Sequence, residues 1–256
     1  MKNPTPKPGL RWSTFSAPSR FYALAGRVVP WLWAVSVVLG LAGLYVGLLV
    51  APTDATQHDS YRVIFIHVPA AILSMLLYLA LAFWAAWGWI FNARMASMYA
   101  RALAPTGAMF TFVALWTGAL WGKPTWGTWW VWDARITSEF ILLLLYVGYI
   151  ALTEAIDDVR RSAHAGALLA LVGVVNIPII YFSVRWWNTL HQGSTIKMTG
   201  TSMHQTMQLA MWLMMFSFWA YSFAIAFTRS RAIVLEQESD TEWVKALGAA
   251  RSEGKA

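Results

Sequence analysis

Residues 63–90 read VIFIHVPAAILSMLLYLALAFWAAWGWI, a run without one Asp, Glu, Lys or Arg. A helix rises about 1.5 Å per residue and the hydrocarbon core of a bilayer is about 30 Å thick, so roughly twenty such residues cross it. Apolar and polar residues do not alternate with period two, which argues against a half-buried strand, and the length fits a helix. Five more runs of this kind follow the same rule, at 28–50, 102–121, 136–153, 165–184 and 205–228. The prediction is an all-α, polytopic integral membrane protein with six transmembrane helices.

Composition agrees. The chain has 256 residues, 58% hydrophobic and 12% charged, with mean hydropathy +0.51. Soluble domains carry about 25% charged residues, so an ordinary cytosolic enzyme is excluded. The run at 28–50 is too long for a cleavable signal peptide, and a basic segment precedes it. That leader, 1–27, holds Pro4, Pro6, Pro8 and Pro18 and is expected to be disordered until it meets the membrane near Phe21. The bundle proper is 28–228, and a polar tail of mixed charge, partly helical, occupies 229–256. Gly43 and Gly47 form a small-xxx-small spacing that serves close helix packing.

A net charge of +7 would suggest nucleic acid in a soluble protein. Here its distribution speaks to topology instead. With the N-terminus inside, 14 of the 19 Lys and Arg fall on inside segments; Arg62, Lys123, Arg135, Arg185 and Lys197 lie outside. The positive-inside rule therefore predicts both termini in the cytoplasm. Zero cysteine excludes disulfides, thiolate metal sites, C-x-x-C redox pairs and C-x-x-C-H haem attachment.

That orientation collects the unusual residues on one face. His58, His67, His191 and His204 fall at or beyond the outer interface; only His164 is inside. The outer loop 122–135 contains WGTWWVWD at 126–133. Indoles gather at membrane interfaces as a belt, but a belt needs only scattered residues. If the segment is a helical turn or two, Trp126, Trp129 and Trp130 share a face with Asp133 and form a platform for a large planar ligand. Both readings stand.

His67 lies in FIHVPAA just below Arg62, with Pro69 suited to a first turn or a kink. His191 lies in WWNTLHQ, in the outer loop 185–204. Each alone reads as an interfacial anchor; together, flanking the indoles, they read as ligands, and neutral imidazoles are usual axial ligands of haem iron. Glu139 is an intramembrane acid and so a functional candidate, although Arg135 and Glu139, at i and i+4, are expected to neutralise each other. Arg62, Lys123, Arg185 and Lys197 are the outer cations left to meet carboxylates or lipid phosphates. The run at 118–124 is a false P-loop, one residue short and with Pro in place of Ser or Thr. Five methionines between Met203 and Met215 read as packing of the last span. No catalytic motif is present.

WGTWWVWDAR at 126–135 resembles the tryptophan-rich motif of haem-handling membrane proteins of cytochrome c biogenesis. HVPAA at 67–71 and WWNTLHQ at 186–192 resemble, more specifically, the haem exporter protein C family (CcmC) of the cytochrome c maturation system. Six spans and the length match that family end to end, whereas larger relatives with the same motif have more spans and more histidines. The resemblance implies haem b held non-covalently at the periplasmic face of the bacterial inner membrane, with His67 and His191 as axial ligands. It implies that Trp126, Trp129, Trp130, Trp132 and Asp133 shape the haem platform and a docking surface for the haem chaperone CcmE. Arg62, Lys123, Arg135, Glu139 and Arg185 are secondary candidates. The implied partners are CcmE, the ATPase CcmA, CcmB, CcmD and membrane lipids, with no nucleic acid and no turnover chemistry of the chain's own. Two other classes compete. A permease would show midplane polar residues and broken helices, and an electron-transfer subunit would show His pairs deep in facing spans.

Overall fold

The architecture is that of a computed structural model describing residues 13–187, 189–191, 196–197, 200–201 and 203–253. The first twelve residues of the leader lie outside the described residues. A turn, α1 (Ser13–Ser16), leads into α2 (Pro18–Tyr45), which continues as a π-helical turn over Val46–Val50. Proline suits the first helical turn because its missing N–H would be unpaired there anyway; helix thus begins ten residues before the apolar run does. A 3-10 turn, Asp59–Val63, feeds α3 (Ile64–Phe91), and α4 (Arg94–Trp126) returns antiparallel to it. Next come α5 (Ala134–Glu154), α6 (Val159–Gly173) and α7 (Asn176–Trp186). A minimal hairpin, β1 (Ile196–Lys197) with β2 (Gly200–Thr201), precedes α8 (Gln205–Gln237) and α9 (Glu242–Glu253).

Six segments are long and apolar enough to cross a membrane, matching the six runs: Pro18–Val50, Asp59–Phe91, Arg94–Trp126, Ala134–Glu154, Val159–Trp186 and Gln205–Gln237. The fold is all-α and polytopic, as expected. The α3–α4 hairpin is the centre. Asn92 makes its tight turn possible by taking the left-handed conformation, φ 50°, that Asn tolerates better than most residues. α2 and α8 pack together on one side of the hairpin, and α5, α6 and α7 on the other. Small residues set the closeness: a Cβ on Gly43 would meet Met214 at 2.9 Å, and one on Gly107 would enter the ring of Tyr146. Tyr78, Leu81, Leu142 and Tyr146 are fully buried where α3, α4, α5 and α6 meet. Trp31 and Leu49, about three-quarters exposed, lie on the outside, where acyl chains would solvate them.

One span departs from a simple helix. The fifth is broken at Val174–Val175 into α6 and α7. Pro178 has no N–H for the carbonyl four residues back and crowds it; that carbonyl, of Val174, accepts instead from Ile177 N at 3.0 Å. The break is packed, with Asn176 Nδ2 donating to Ser138 O at 2.9 Å. Phe21 at the start of α2 packs against Phe227 and Val234 of α8, so the two ends of the bundle's chain lie at one end of the molecule.

Candidate functional site

The opposite end holds a partly open cavity between α3, α4 and α5, with His191 of the loop that follows α7 on its wall. Its wall is His67, Trp121, Trp126, Trp129, Trp130, Arg135, Glu139 and His191, with Ala71, Ala114, Gly118 and Ala119 leaving the room.

His67 sits in the second turn of α3 and is buried. Its Nδ1 lies 3.0 Å from Thr117 Oγ1, and that hydroxyl donates to Val113 O at 2.6 Å. A hydroxyl has one proton. With the proton on the Val113 carbonyl, Thr117 accepts from Nδ1–H, and the Nε2 lone pair of His67 is left to bind a ligand. Gly118 completes the seat, since a Cβ there would stand 3.2 Å from His67 Cε1. His191 is brought opposite by the loop after α7, its N–H donating to Thr189 Oγ1 at 2.9 Å. The two imidazole centroids lie 6.1 Å apart with the ring planes 28° from parallel. Trp121 stands 5.7 Å from His67, and Trp126 stands 5.9 Å from His191.

The tryptophan segment is not the helical turn that the shared-face reading requires. Trp126 ends α4, and Gly127, in the left-handed region at φ 78°, stops it, its N–H donating to Lys123 O at 3.1 Å. Residues 128–133 are irregular until Asp133 caps α5, accepting from Ile136 N at 2.8 Å. Trp126, Trp129 and Trp130 therefore reach the cavity from a helix end and a loop. Trp132 does not line it; it is exposed and packs edge-on to Trp130 at 5.3 Å. Asp133 serves the helix cap, and its other oxygen, Oδ2, is buried with no hydrogen-bond partner among the described residues. The indole Nε1 of Trp130 is likewise buried and unpartnered.

Arg135 and Glu139 form no direct ion pair within 4.0 Å among the described residues, although each lies within the other's electrostatic reach. Both line the cavity, but neighbouring elements satisfy them separately. Arg135 Nη1 donates to Ile180 O at 3.2 Å, and Glu139 accepts from Ser74 Oγ at 2.8 Å. The other cations lie elsewhere. Arg62 ties Gly47 O at 2.7 Å and Asp59 at 3.0 Å, Lys123 binds Gly127 O at 3.1 Å, and Arg185 sits over the Phe182 ring at 5.9 Å. Lys197's side chain lies outside what is described. Residues 117, 118, 121 and 125 were not singled out as candidates, although Thr117, Trp121 and Thr125 recur at i, i+4, i+8, the period of one helix face. Trp121 is further held by Gln57, whose Oε1 accepts from its Nε1 at 2.7 Å.

No group of three or more His, Cys, Asp or Glu able to hold a bare metal ion occurs among the described residues. Two imidazoles across an indole-walled cavity instead suit a metal whose remaining positions are filled by a flat macrocycle. Fold and site define a multi-pass membrane protein with a cavity lined by indoles and two imidazoles near one end of its bundle. A model of the family described as CcmC, Heme exporter protein C, matches residues 11–245. The Heme exporter protein C of Escherichia coli (strain K12) is 47% identical over 239 residues, 92% of this chain and 97% of that protein. That of Bradyrhizobium diazoefficiens is 48% identical over 202 residues, 78% of this chain and 76% of its own. A ccmC-like mitochondrial cytochrome c biosynthesis protein of Marchantia polymorpha is 41% identical over 192 residues, 75% and 82% of the two chains. The chain belongs to the haem exporter protein C family.

Proposed function

We propose that this protein holds haem b between His67 and His191 at the periplasmic face of the bacterial inner membrane and hands it to the haem chaperone CcmE. The observation that carries the reading is the pair of imidazoles, 6.1 Å apart and near-parallel, across an indole-walled cavity. With metal–imidazole bonds of about 2 Å on each side, two ligands of one iron stand about 6 Å apart, centre to centre. Arg135 has donors beyond its bond to Ile180 and supplies a positive charge for a haem carboxylate. The buried, unpaired N–H of Trp130 is a further donor awaiting an acceptor. With no cysteine anywhere, the chain has no thioether route to keep the haem, which suits release to another protein.

The exposed Trp132 and the loop around it form the surface on which the chaperone docks. Aromatic side chains are enriched at the cores of partner contacts, and Trp132 supplies one at the rim of the cavity. CcmA, CcmB and CcmD complete the assembly, with CcmA supplying ATP hydrolysis, and the chain itself performs no turnover chemistry. The broken fifth span is no pathway through the bundle interior of the kind a permease uses: the break is filled by the Asn176–Ser138 hydrogen bond and by Tyr78 packed on Gly173.

Absorption spectra of the purified protein test the reading. Wild type carries haem with a six-coordinate, low-spin spectrum. His67→Ala and His191→Ala each lose that spectrum and fail to load CcmE. Full loading by either single variant would sink the axial assignment.

A further inference from the structure

The terminal end of the bundle has a second cavity, open on one side, between α4, α5 and α8. Arg101 and Pro105 of α4, Tyr149 and Glu154 of α5, and Arg229 and Ile233 of α8 line it. Arg229 gives Nη1 to Thr106 Oγ1 at 2.7 Å, and Arg101 hydrogen-bonds to no described residue. Among the described residues neither guanidinium has a carboxylate within 4.0 Å, whereas Arg94 at the same end is paired with Glu238 at 2.8 Å. Two partly buried guanidinium forks, neither of them paired within 4.0 Å with the Glu154 carboxylate that shares the cavity, stand beside apolar walls and offer a place for a ligand's anionic groups.

One face of α4 runs from this cavity to the first. Arg101, Pro105, Ala108, Phe112, Leu115 and Ala119 recur at spacings of four and three, so they form a single stripe. Arg101 and Pro105 line the terminal cavity, and Leu115 and Ala119 line the cavity of His67. None of the six is buried, and Phe112 at the middle is 54% exposed. From Arg101 to Ala119 the helix rises roughly 27 Å, close to the thickness of the hydrocarbon core. The stripe stays open for a topological reason: α4 packs against α5 on one flank and α8 on the other, and those two do not pack substantially on each other.

We propose that the Arg101–Arg229 cavity is a second haem site, and that the lipid-open groove along α4 leads from it to His67. This rests on the haem reading above. Haem carries two carboxylates on one edge of a broad apolar plane. The carboxylates match the two guanidinium forks, and the plane matches a groove floored by Ala108 and Phe112 and solvated by acyl chains. An acidic phospholipid shares the charge, so the experiment must separate the two.

Because the chain has no cysteine, Ala232→Cys places one fluorescent label at the terminal cavity. The label is followed in nanodiscs of neutral lipid, on a His67→Ala/His191→Ala background, while haem is titrated. Saturable quenching is expected. Arg101→Gln/Arg229→Gln should weaken it at least tenfold, the scale of one or two lost charge-assisted bonds, while Arg101→Lys/Arg229→Lys retains most of it. Haem with both carboxylates esterified should not saturate. Equal quenching by the Gln variant or by the diester overturns the proposal, and so does loss of the signal once a few mole per cent of cardiolipin is present. Ala108→Trp should slow filling of the His67 site several-fold and leave the label's response unchanged; filling at the wild-type rate overturns the route. In the chain with both histidines intact, absence of any His67- and His191-dependent absorption band means that the haem reading itself has failed, whatever the label reports.

Discussion

Thr117 decides which nitrogen of His67 faces the cavity. With its proton on Val113 O it accepts from Nδ1–H, in a site where the Ala114 carbonyl also bonds the ring. Valine keeps the shape and removes the acceptor. Thr117→Val should fold normally and bind haem about 10- to 100-fold more weakly in a spectrophotometric titration, the usual cost of losing the partner of a metal-ligating imidazole. Thr117→Ser should restore most of the affinity; unchanged binding by the valine variant would show that the tautomer is held some other way. His67 and His191 were legible in the sequence because polar residues are rare in and beside apolar spans, and each stands out against its neighbours. Thr117 was not legible. Its contact with His67 crosses fifty residues of chain, and a threonine bonded back to its own helix looks like any other in a span. Arg135 and Glu139 act on each other without direct contact for a related reason: spacing on α5 was legible, but their hydrogen-bond partners, Ile180 O and Ser74 Oγ, come from other helices.

The tryptophan segment is shaped by two helix ends. Gly127 terminates α4 through its positive φ, and Asp133 starts α5 by capping it. Both signals were present in the sequence, a glycine after a periodic run and an aspartate before another. The density of indoles between them invited a helical reading. The consequence is that half-exposed Trp129 and the more buried Trp130 both border the cavity while Trp132 does not. Asp133→Ala should remove the cap and cost about 1 kcal/mol, read as a fall of a few degrees in thermal unfolding in detergent. Asp133→Asn keeps an acceptor and should unfold close to wild type. If the Asn variant is stable yet fails to load the chaperone, the buried Oδ2 has a chemical role beyond the cap; normal loading assigns Asp133 to architecture alone. In α6 and α7 the proline that breaks the span was equally visible, but hydropathy alone reads straight across it. The run stays apolar on both sides of Val174–Val175.

For the whole molecule, span number was legible because hydropathy depends only on composition along the chain. Which span lies beside which was not, since in lipid every face of a helix can be apolar and small residues, rather than a polar–apolar divide, choose the neighbours. The α4 stripe is an example: only the separation of α5 from α8 reveals that it stays uncovered. Orientation follows from charge. The start of α2 and the end of α8 share one end of the bundle, and Arg94, Arg101, Arg229 and Arg231 belong to that end, while His67 and His191 lie at the other. Basic residues are held back on the cytoplasmic side during insertion, so the terminal end should be cytoplasmic and the imidazole end periplasmic. The absence of native cysteine makes this directly measurable. Lys123 and Glu242 are both exposed, the first at the imidazole end of α4 and the second at the start of α9. In intact cells with a permeable outer membrane, Lys123→Cys should react with a membrane-impermeant maleimide and Glu242→Cys should react only after the inner membrane is opened. The reverse pattern would put the cavity of His67 in the cytoplasm, where no periplasmic chaperone could receive its ligand.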